Sequence, residues 1–398
     1  MHPGLLRFPR LTLDGLQRVP ETGLALSRRI LRRLARGARR LARPGAAGGS
    51  PAAQPQRGIV DECTETYVRG WAVVGGDRPA PITILVNGRP VAEMEAVVYR
   101  PDLERAGIPA RSGFRHIFAE PLGERDRVEV RFADRSQLER SPCRANADQR
   151  ERRRRLLMGL DLKRMKGLEI GPLHRPLLMK SQCDVYYVDH ASREELLRKY
   201  EEHPVEAVDP ALVVEVDFVW PGGALADVVP KGMAFDYCVA AHVIEHVADP
   251  ITWLGHLAAV LKPGGRICLA IPEKTRTFDY RRALSTPADL IDAYVRRLQR
   301  PSARQVFDHE AFWSPVDRKR ERPPLFDEQR LRDALAAARS AEGGTYHDAH
   351  CHVFTLPSFL ECWEVIVRLK LVPLTVAHAF APLRGWDEFI VILQKTQA

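Results

Sequence analysis

Three acidic side chains and one glycine lie where successive apolar runs of the chain end. Glu169 and Gly171 lie in LEIGP, Asp189 closes VYYVD, and Asp217 closes VVEVD. If these runs are parallel strands, their carboxyl ends meet at the sheet edge where open α/β sheets bind ligands. A glycine there lets a ligand approach the backbone closely. A carboxylate there can accept hydrogen bonds from a ribose diol, as we predict for Asp189, or from an adenine amino group, as we predict for Asp217.

Histidines and an aspartate near the same edge are candidates for proton transfer. His242 directly follows the apolar run FDYCVAA, Asp279 lies in RTFDYRR, and His350 and His352 lie in HDAHCHVF. An imidazole exchanges protons near neutral pH, which suits a general base. We take His242 as the first candidate because it would stand at the switch point of the sheet. Asp279, His350 and His352 are the alternatives.

The elements that must position these side chains follow from the alternation of short apolar runs with helical segments. This rhythm starts at residue 167 and predicts a parallel sheet that is covered on both faces. Residues 273–350 interrupt it and are predicted to be an insertion. The expected fold is a doubly wound, mainly parallel α/β sheet of seven strands over residues 167–398. The predicted strands are 167–170, 185–189, 213–217, 235–241, 266–271, 374–380 and 388–394.

The first part of the chain has a different pattern. Residues 58–145 contain short alternating runs and the hairpin signal Asn87-Gly88, which together predict a small antiparallel β-sandwich. A charged helical linker is predicted over 146–166. Residues 1–57 form a basic arm, in which 23–43 is either an amphipathic helix attracted to anionic lipid or a basic tail.

Charge and cysteine usage narrow the possible functions. The arm at 1–57 has twelve arginines and two acids, so the rest of the chain has a net charge of −1 and is not expected to bind nucleic acid. The seven cysteines show no C-x-x-C spacing, which fits a reducing compartment. There is neither an apolar run of 18 residues nor a signal peptide. We therefore expect a cytoplasmic protein, with peripheral membrane contact through 23–43 left open.

The motifs at the strand ends resemble those of a known family. The segments LEIGP, YYVDH, VVEVD, FDYCVAAHVIEHVADP and LKPGGRICLAIPEK look like the successive motifs of class I, type 11-like methyltransferases that depend on S-adenosylmethionine (SAM). The most specific part is HVIEHV followed by LKPGG. The resemblance implies that a set of residues contacts the cofactor: Glu169, Gly171, Asp189, Asp217, Phe218, Ala241 and His242. The sequence departs from the family pattern at Leu173 and Arg175, which stand where further glycines are usual.

Residues 58–142 resemble a small β-domain that accompanies bacterial glycosyltransferases and glycan-modifying enzymes. The matching pieces are GIVDE, RGWAVV, ILVNG, YRPDLERAG, SGF and the terminal Ser141-Pro142. This resemblance implies a surface-polysaccharide setting. Together the two resemblances predict O-methylation of a sugar in a surface polysaccharide or in its lipid-linked precursor. Arg276, Arg281 and Arg282 could hold an anionic acceptor or belong to an exposed charged face.

Two other functions compete with this reading. A non-catalytic, methyltransferase-like scaffold in glycan assembly would explain the missing glycines. The sequence HVIEH at 242–246 also matches the zinc-hydrolase pattern H-x-x-E-H, with His347, His350 or His352 as a further ligand. Because the motif directly follows a buried strand, we expect Glu245 and His246 to stabilise the loop or touch substrate, and we predict no metal. The sequence does not indicate the oligomeric state.

Overall fold

The structure is a computed structural model that describes residues 55–397 apart from 77, 105, 202–207, 209 and 315–326. The basic arm and its segment 23–43 therefore lie outside the described residues. No helix in the described part of the chain combines the length and the hydropathy that a membrane crossing requires.

Two antiparallel sheets form the first folded part. One sheet has the order β1-β2-β7-β6, with β3 beside β2, and the other has the order β5-β4-β8. The elements are β1 (Gln56–Cys63), β2 (Tyr67–Val74), β3 (Arg78–Pro79), β4 (Pro81–Val86), β5 (Arg89–Glu95), β6 (Val98–Tyr99), α1 (Pro101–Glu104), β7 (Arg111–Ile117) and β8 (Val128–Phe132). Val68 and Phe114 of one sheet share a buried core with Ile84 and Val130 of the other, as in a β-sandwich.

The predicted hairpin is present in the β-sandwich, and the predicted start of this domain falls inside its first strand. Asn87 and Gly88 both have positive φ angles, 52° and 79°, and join the paired strands β4 and β5. These angles fit a type I′ turn, so the predicted hairpin is confirmed. The predicted boundary at residue 58 falls inside β1, which begins at Gln56.

The charged helix between the two folded parts is shorter than predicted. Helix α2 (Ala147–Leu156) begins after Asn146, whose side chain accepts hydrogen bonds from the backbone N–H groups of Asp148 and Gln149. It ends at Leu156, and Gly159 then adopts a φ of 76°, in the left-handed region. A glycine in this conformation is a common helix terminator, so the prediction of a helix through residue 166 was wrong.

The second folded part is built on a seven-stranded sheet with the order β11-β10-β9-β12-β13-β15-β14. Strand β15 is antiparallel to both neighbours, and the remaining pairs are parallel. The chain order reverses between β9 and β12, which is the switch point of a doubly wound sheet. The strands are β9 (Lys166–Ile170), β10 (Asp184–Asp189), β11 (Phe218–Val219), β12 (Phe235–Ala241), β13 (Leu261–Pro272), β14 (Leu374–Phe380) and β15 (Glu388–Lys395). The predicted fold class is confirmed.

Helices accompany this sheet. Helix α4 packs against β13, and α8 packs against β14. Within the predicted insertion, α6 packs on α7, while α5 contacts α4 and α8. The insertion is thus a helical layer joined to the body of the domain. The helices are α3 (Arg193–Glu201), α4 (Pro250–Val260), α5 (Pro287–Arg296), α6 (Ala303–Phe312), α7 (Glu328–Glu342) and α8 (Leu356–Arg368).

The third predicted strand of this sheet was misplaced. Residues 213–217 were predicted as a strand, but β11 contains only Phe218 and Val219. Asp217 lies just before it, and the side chain of Asp217 accepts a hydrogen bond from the Tyr187 N–H at 2.7 Å. Because this carboxylate occupies the N–H that a strand neighbour would otherwise use, regular pairing with β10 starts only at Phe218.

Candidate active site at the carboxyl edge of the sheet

The turn after β9 is held from inside by Glu169. This buried carboxylate accepts hydrogen bonds from the backbone N–H groups of Leu177 at 2.7 Å and Leu178 at 2.9 Å. Burial raises the pKa of Glu169 to about 7, against the opposing effect of these two N–H donors. The side chain predicted to approach the cofactor thus contacts the loop backbone and shapes the turn.

We expect Glu169→Ala to lower the free energy of unfolding by roughly 2–4 kcal/mol, because two backbone N–H groups lose their acceptor inside the protein. Urea unfolding of the variant and the parent protein measures this difference. The matched control is Glu194→Ala, which removes an exposed carboxylate from α3. Equal stability of the Glu169 variant and the parent would show that the turn does not depend on this carboxylate.

The same turn uses the left-handed backbone region twice. Gly171 has a φ of 65°, and a Cβ atom at this position would lie 3.1 Å from Cγ2 of Val243. Leu173 has a φ of 44° at a position where the family usually has glycine. A leucine in this conformation is strained, and such strain is commonly found at ligand-binding turns. The turn thus keeps a second left-handed position although a leucine stands there in place of a glycine.

Asp189 lies where the sequence placed it, at the carboxyl end of β10. Its side chain is buried, and Oδ1 accepts a hydrogen bond from the backbone N–H of His190 at 2.8 Å. The same oxygen lies 2.7 Å from Nδ1 of His190. The Asp189 carbonyl accepts a hydrogen bond from the Trp220 N–H, which ties the ends of β10 and β11 together. The carboxylate is thus held rigidly at the edge predicted to bind ribose.

Asp217 and Phe218 are engaged at the outer side of the sheet. The Asp217 carboxylate accepts hydrogen bonds from Lys180 Nζ at 2.6 Å and from the Tyr187 N–H. The Phe218 ring stacks on Tyr186, with the ring centres 5.5 Å apart. With one bond to each oxygen, the Asp217 carboxylate keeps acceptor capacity for an adenine amino group. Its predicted place at the end of a strand was wrong for the reason given above.

His242 is the most exposed of the four predicted proton-transfer residues. It follows Ala241 at the end of β12, has a φ of 55°, and donates its backbone N–H to Ala270. Its imidazole is 40% exposed, and Nε2 lies 2.9 Å from Oε2 of Glu388. Its other ring nitrogen, Nδ1, lies 3.7 Å from Glu245. The ring is therefore oriented by two carboxylates while part of it faces solvent.

Glu388 and Arg152 form the support of this histidine. Arg152 binds both carboxylate oxygens of buried Glu388, at 2.5 and 2.8 Å. Burial of Glu388 opposes its ionisation, but the hydrogen bonds from His242 and Arg152 outweigh this effect and lower its pKa to about 2. Burial likewise lowers the pKa of His242, but its bond to Glu388 and the charge of Glu245 raise it overall. An imidazole that has accepted a proton is thus stabilised here.

The structure brings Asp279 and His350 together. His350 Nδ1 lies 2.6 Å from Oδ2 of Asp279, whose other oxygen accepts a hydrogen bond from Arg282 at 2.8 Å. Arg282 is buried and also binds Asp308 and the His350 carbonyl. Of the two alternatives left open for Arg282, the exposed charged face does not apply to this residue, because its guanidinium is buried with internal partners.

His352 and the H-x-x-E-H pattern differ from expectation. His352 is 2% exposed, Nε2 lies 3.1 Å from the Ala248 carbonyl, and burial lowers its pKa to about 4. Its burial leaves it little surface for contact with a substrate. Residues 244–246 form a single 3₁₀ turn. His242 and His246 are therefore not on one face of an α-helix, as a zinc hydrolase with this motif requires.

Comparison with known proteins identifies the family. The methyltransferase domain family matches residues 140–365, which is more than half of the chain, and no curated protein matches. The chain belongs to this methyltransferase family. Its seven-stranded, doubly wound sheet is the class I methyltransferase fold.

Solved structures were also compared with the chain. The CurJ carbon methyltransferase is 13% identical, with 61% of this chain and 51% of that chain covered and a TM-score of 0.30. A SAM-dependent methyltransferase from Mesorhizobium loti is 13% identical, with 63% of this chain and 99% of that chain covered and a TM-score of 0.32. The plantazolicin methyltransferase BpumL in complex with S-adenosylhomocysteine (SAH) is 10% identical, with 58% of this chain and 77% of that chain covered and a TM-score of 0.29. The chain thus spans about half the length of the first of these.

The residues at this edge fit the cofactor. The left-handed turn at Gly171 and Leu173 leaves the backbone open beside β9, and Asp189 presents a fixed carboxylate beside it. The turn follows β9 at the switch point between β9 and β12, Asp189 ends the neighbouring strand β10, and His242 follows β12 directly. The residues that would hold SAM, the cofactor that the sequence motifs imply, are therefore those of the first two strand ends.

Proposed function

We propose that this enzyme transfers a methyl group from SAM to a hydroxyl oxygen of a sugar in a bacterial surface polysaccharide or in its lipid-linked precursor. The observation that carries the proposal is the pair formed by His242 and Glu388 at the switch point of the sheet. A sugar hydroxyl is a poor nucleophile at neutral pH and benefits from a base, and this pair has the form of an oriented base.

Each group of the pair has a role in this reaction. SAM, when bound, supplies an electrophilic methyl group. His242 accepts the proton of the acceptor hydroxyl as the oxygen becomes nucleophilic. Glu388 keeps the imidazole in one orientation and, with Glu245, stabilises the positive charge that forms on it. Arg152 keeps Glu388 ionised in spite of its burial, so the carboxylate is ready before the proton moves.

Support for a sugar acceptor comes from the first folded part and from charge. The motifs of residues 58–142 resemble those of β-domains in glycan-processing proteins. Outside the basic arm the net charge of the chain is −1, which does not favour binding of a polyanionic nucleic acid. Trp71, a candidate for stacking on a sugar, is buried in the β-domain. The acceptor would thus be recognised elsewhere.

The proposal predicts that a strain lacking the gene loses a methylated sugar from its surface glycan. The expected result is loss of an O-methyl sugar in composition analysis, with recovery on expression of the intact chain and no recovery with His242→Ala. Transfer of labelled methyl groups from SAM to glycan extracted from the deletion strain tests the same reaction with purified protein. Labelling of a small metabolite while this glycan stays unlabelled would overturn the assignment of the acceptor.

A further inference from the structure

Three metal-ligating side chains converge beside His242. Glu245, His246 and His350 each offer one ligand atom, and these atoms all lie within 4.8 Å of one another. Glu245 and His246 belong to the turn after β12, whereas His350 comes from the end of the insertion. The rings of the two histidines meet edge to face, with their centres 4.7 Å apart. The cluster thus lies at the carboxyl end of β12, on the functional edge of the sheet.

Both histidines have one ring nitrogen engaged by a carboxylate. His246 Nδ1 lies 2.9 Å from Asp348, and His350 Nδ1 lies 2.6 Å from Asp279. Such a carboxylate fixes the tautomer of a metal-binding histidine and raises the basicity of its other nitrogen. The Nε2 atoms of both rings are therefore the ones prepared to accept a cation.

Glu245 provides an independent indication of a ligand. Its carboxylate is 2% exposed, and among the described residues neither oxygen has a hydrogen-bond partner. Its neighbour His242 lies 3.7 Å away and is already bonded to Glu388. A buried carboxylate without hydrogen bonds is costly unless a cation neutralises it. Arg282 does not serve this purpose, because it binds Asp279 and Asp308.

We propose that Glu245, His246 and His350 bind a divalent transition-metal ion of the zinc type. Two imidazoles and one carboxylate form a mixed nitrogen and oxygen set that zinc and similar ions accept, with bonds of about 2.0–2.2 Å. Ligand atoms then lie about 3.4 Å apart in a tetrahedral site, so closure requires side-chain shifts on the order of 1 Å. The side chain of His246 is 37% exposed, so the cluster can be reached from solvent.

The ion extends the proposed function, on which this part of the inference rests. A metal ion held by Glu245, His246 and His350 would supply Lewis-acid activation of an acceptor hydroxyl beside His242, and His242 would accept the proton of that hydroxyl. The zinc-hydrolase alternative paired His242 with His246 and took a further ligand from His347, His350 or His352. The cluster in the structure instead contains Glu245 in place of His242, together with His246 and His350.

Metal binding can be measured on the intact chain without any acceptor. After treatment with a chelator and dialysis, titration with Zn²⁺ is expected to give one tight site per chain, and Co²⁺ is expected to give visible absorption of a bound ion. Glu245→Gln and His350→Ala are expected to weaken Zn²⁺ binding by about 100-fold or more, while His256→Ala on α4 serves as the matched control and leaves it unchanged. SAH affinity and thermal unfolding of each variant show whether it has folded.

The outcomes separate this inference from the proposed function. Absence of a tight site in the wild type, or equal Zn²⁺ affinity in folded Glu245→Gln and His350→Ala, overturns the metal site. A site that binds Zn²⁺ and depends on both residues supports it, even if glycans are not methylated. In that case only the acceptor assignment fails.

Discussion

His242→Ala is expected to lower the turnover number by about 10²–10⁴-fold while leaving SAM affinity within a few fold. The variant removes the group that accepts the acceptor proton but leaves the turn at Gly171 and the carboxylate of Asp189 in place. Turnover is measured with labelled SAM and extracted glycan, and cofactor affinity is measured by calorimetry with SAH.

The control for this variant is His378→Ala, which removes a histidine of β14, the strand at the opposite margin of the sheet from β11. Its turnover should match that of the parent enzyme. Parallel loss of SAH binding in His242→Ala would place this histidine in the cofactor pocket. Unchanged turnover would exclude His242 as the base.

Asp189→Ala is expected to weaken binding of both SAM and SAH by about 10- to 100-fold, equivalent to roughly 1.5–3 kcal/mol. The carboxylate stands at the end of β10, where its oxygens can accept hydrogen bonds from both ribose hydroxyls. SAM and SAH share this ribose, so both affinities should fall by the same factor. Calorimetric titration of the variant with each ligand measures this effect.

Asp184→Asn is the matched control, because Asp184 begins the same strand and therefore lies at the opposite edge of the sheet. It should bind both ligands as the parent protein does. If Asp189→Ala binds SAH with unchanged affinity, the ribose contact at the second strand end is wrong. A drop for SAM alone would point to the methyl-bearing end of the cofactor.

The sequence by itself determined the scaffold and the positions of several site residues. The run at 235–241 is apolar and largely buried, and β12 forms at the predicted residues. The run at 374–380 also forms the predicted strand, β14, although only Leu374 of that strand is buried. Asp189 was found because local polarity changes sharply where a buried strand ends. Asp217 was misplaced because the apolar residues of VVEVD resemble a strand. In the structure its side chain accepts a hydrogen bond from the Tyr187 N–H, the group with which pairing to β10 would begin.

Only the tertiary structure decided which groups act together. Glu388 is separated from His242 by 146 positions, yet Oε2 of the glutamate lies 2.9 Å from the imidazole. Only β13 lies between β12 and β15, and antiparallel β15 begins with Glu388 opposite Pro272, at the carboxyl end of β13. His350 reaches Glu245 and His246 only because the insertion returns to the sheet. Apolar periodicity is a local property of the chain, so it reports strands and their ends. The pairing of charges depends on strand order and on burial, which arise only when distant segments pack together.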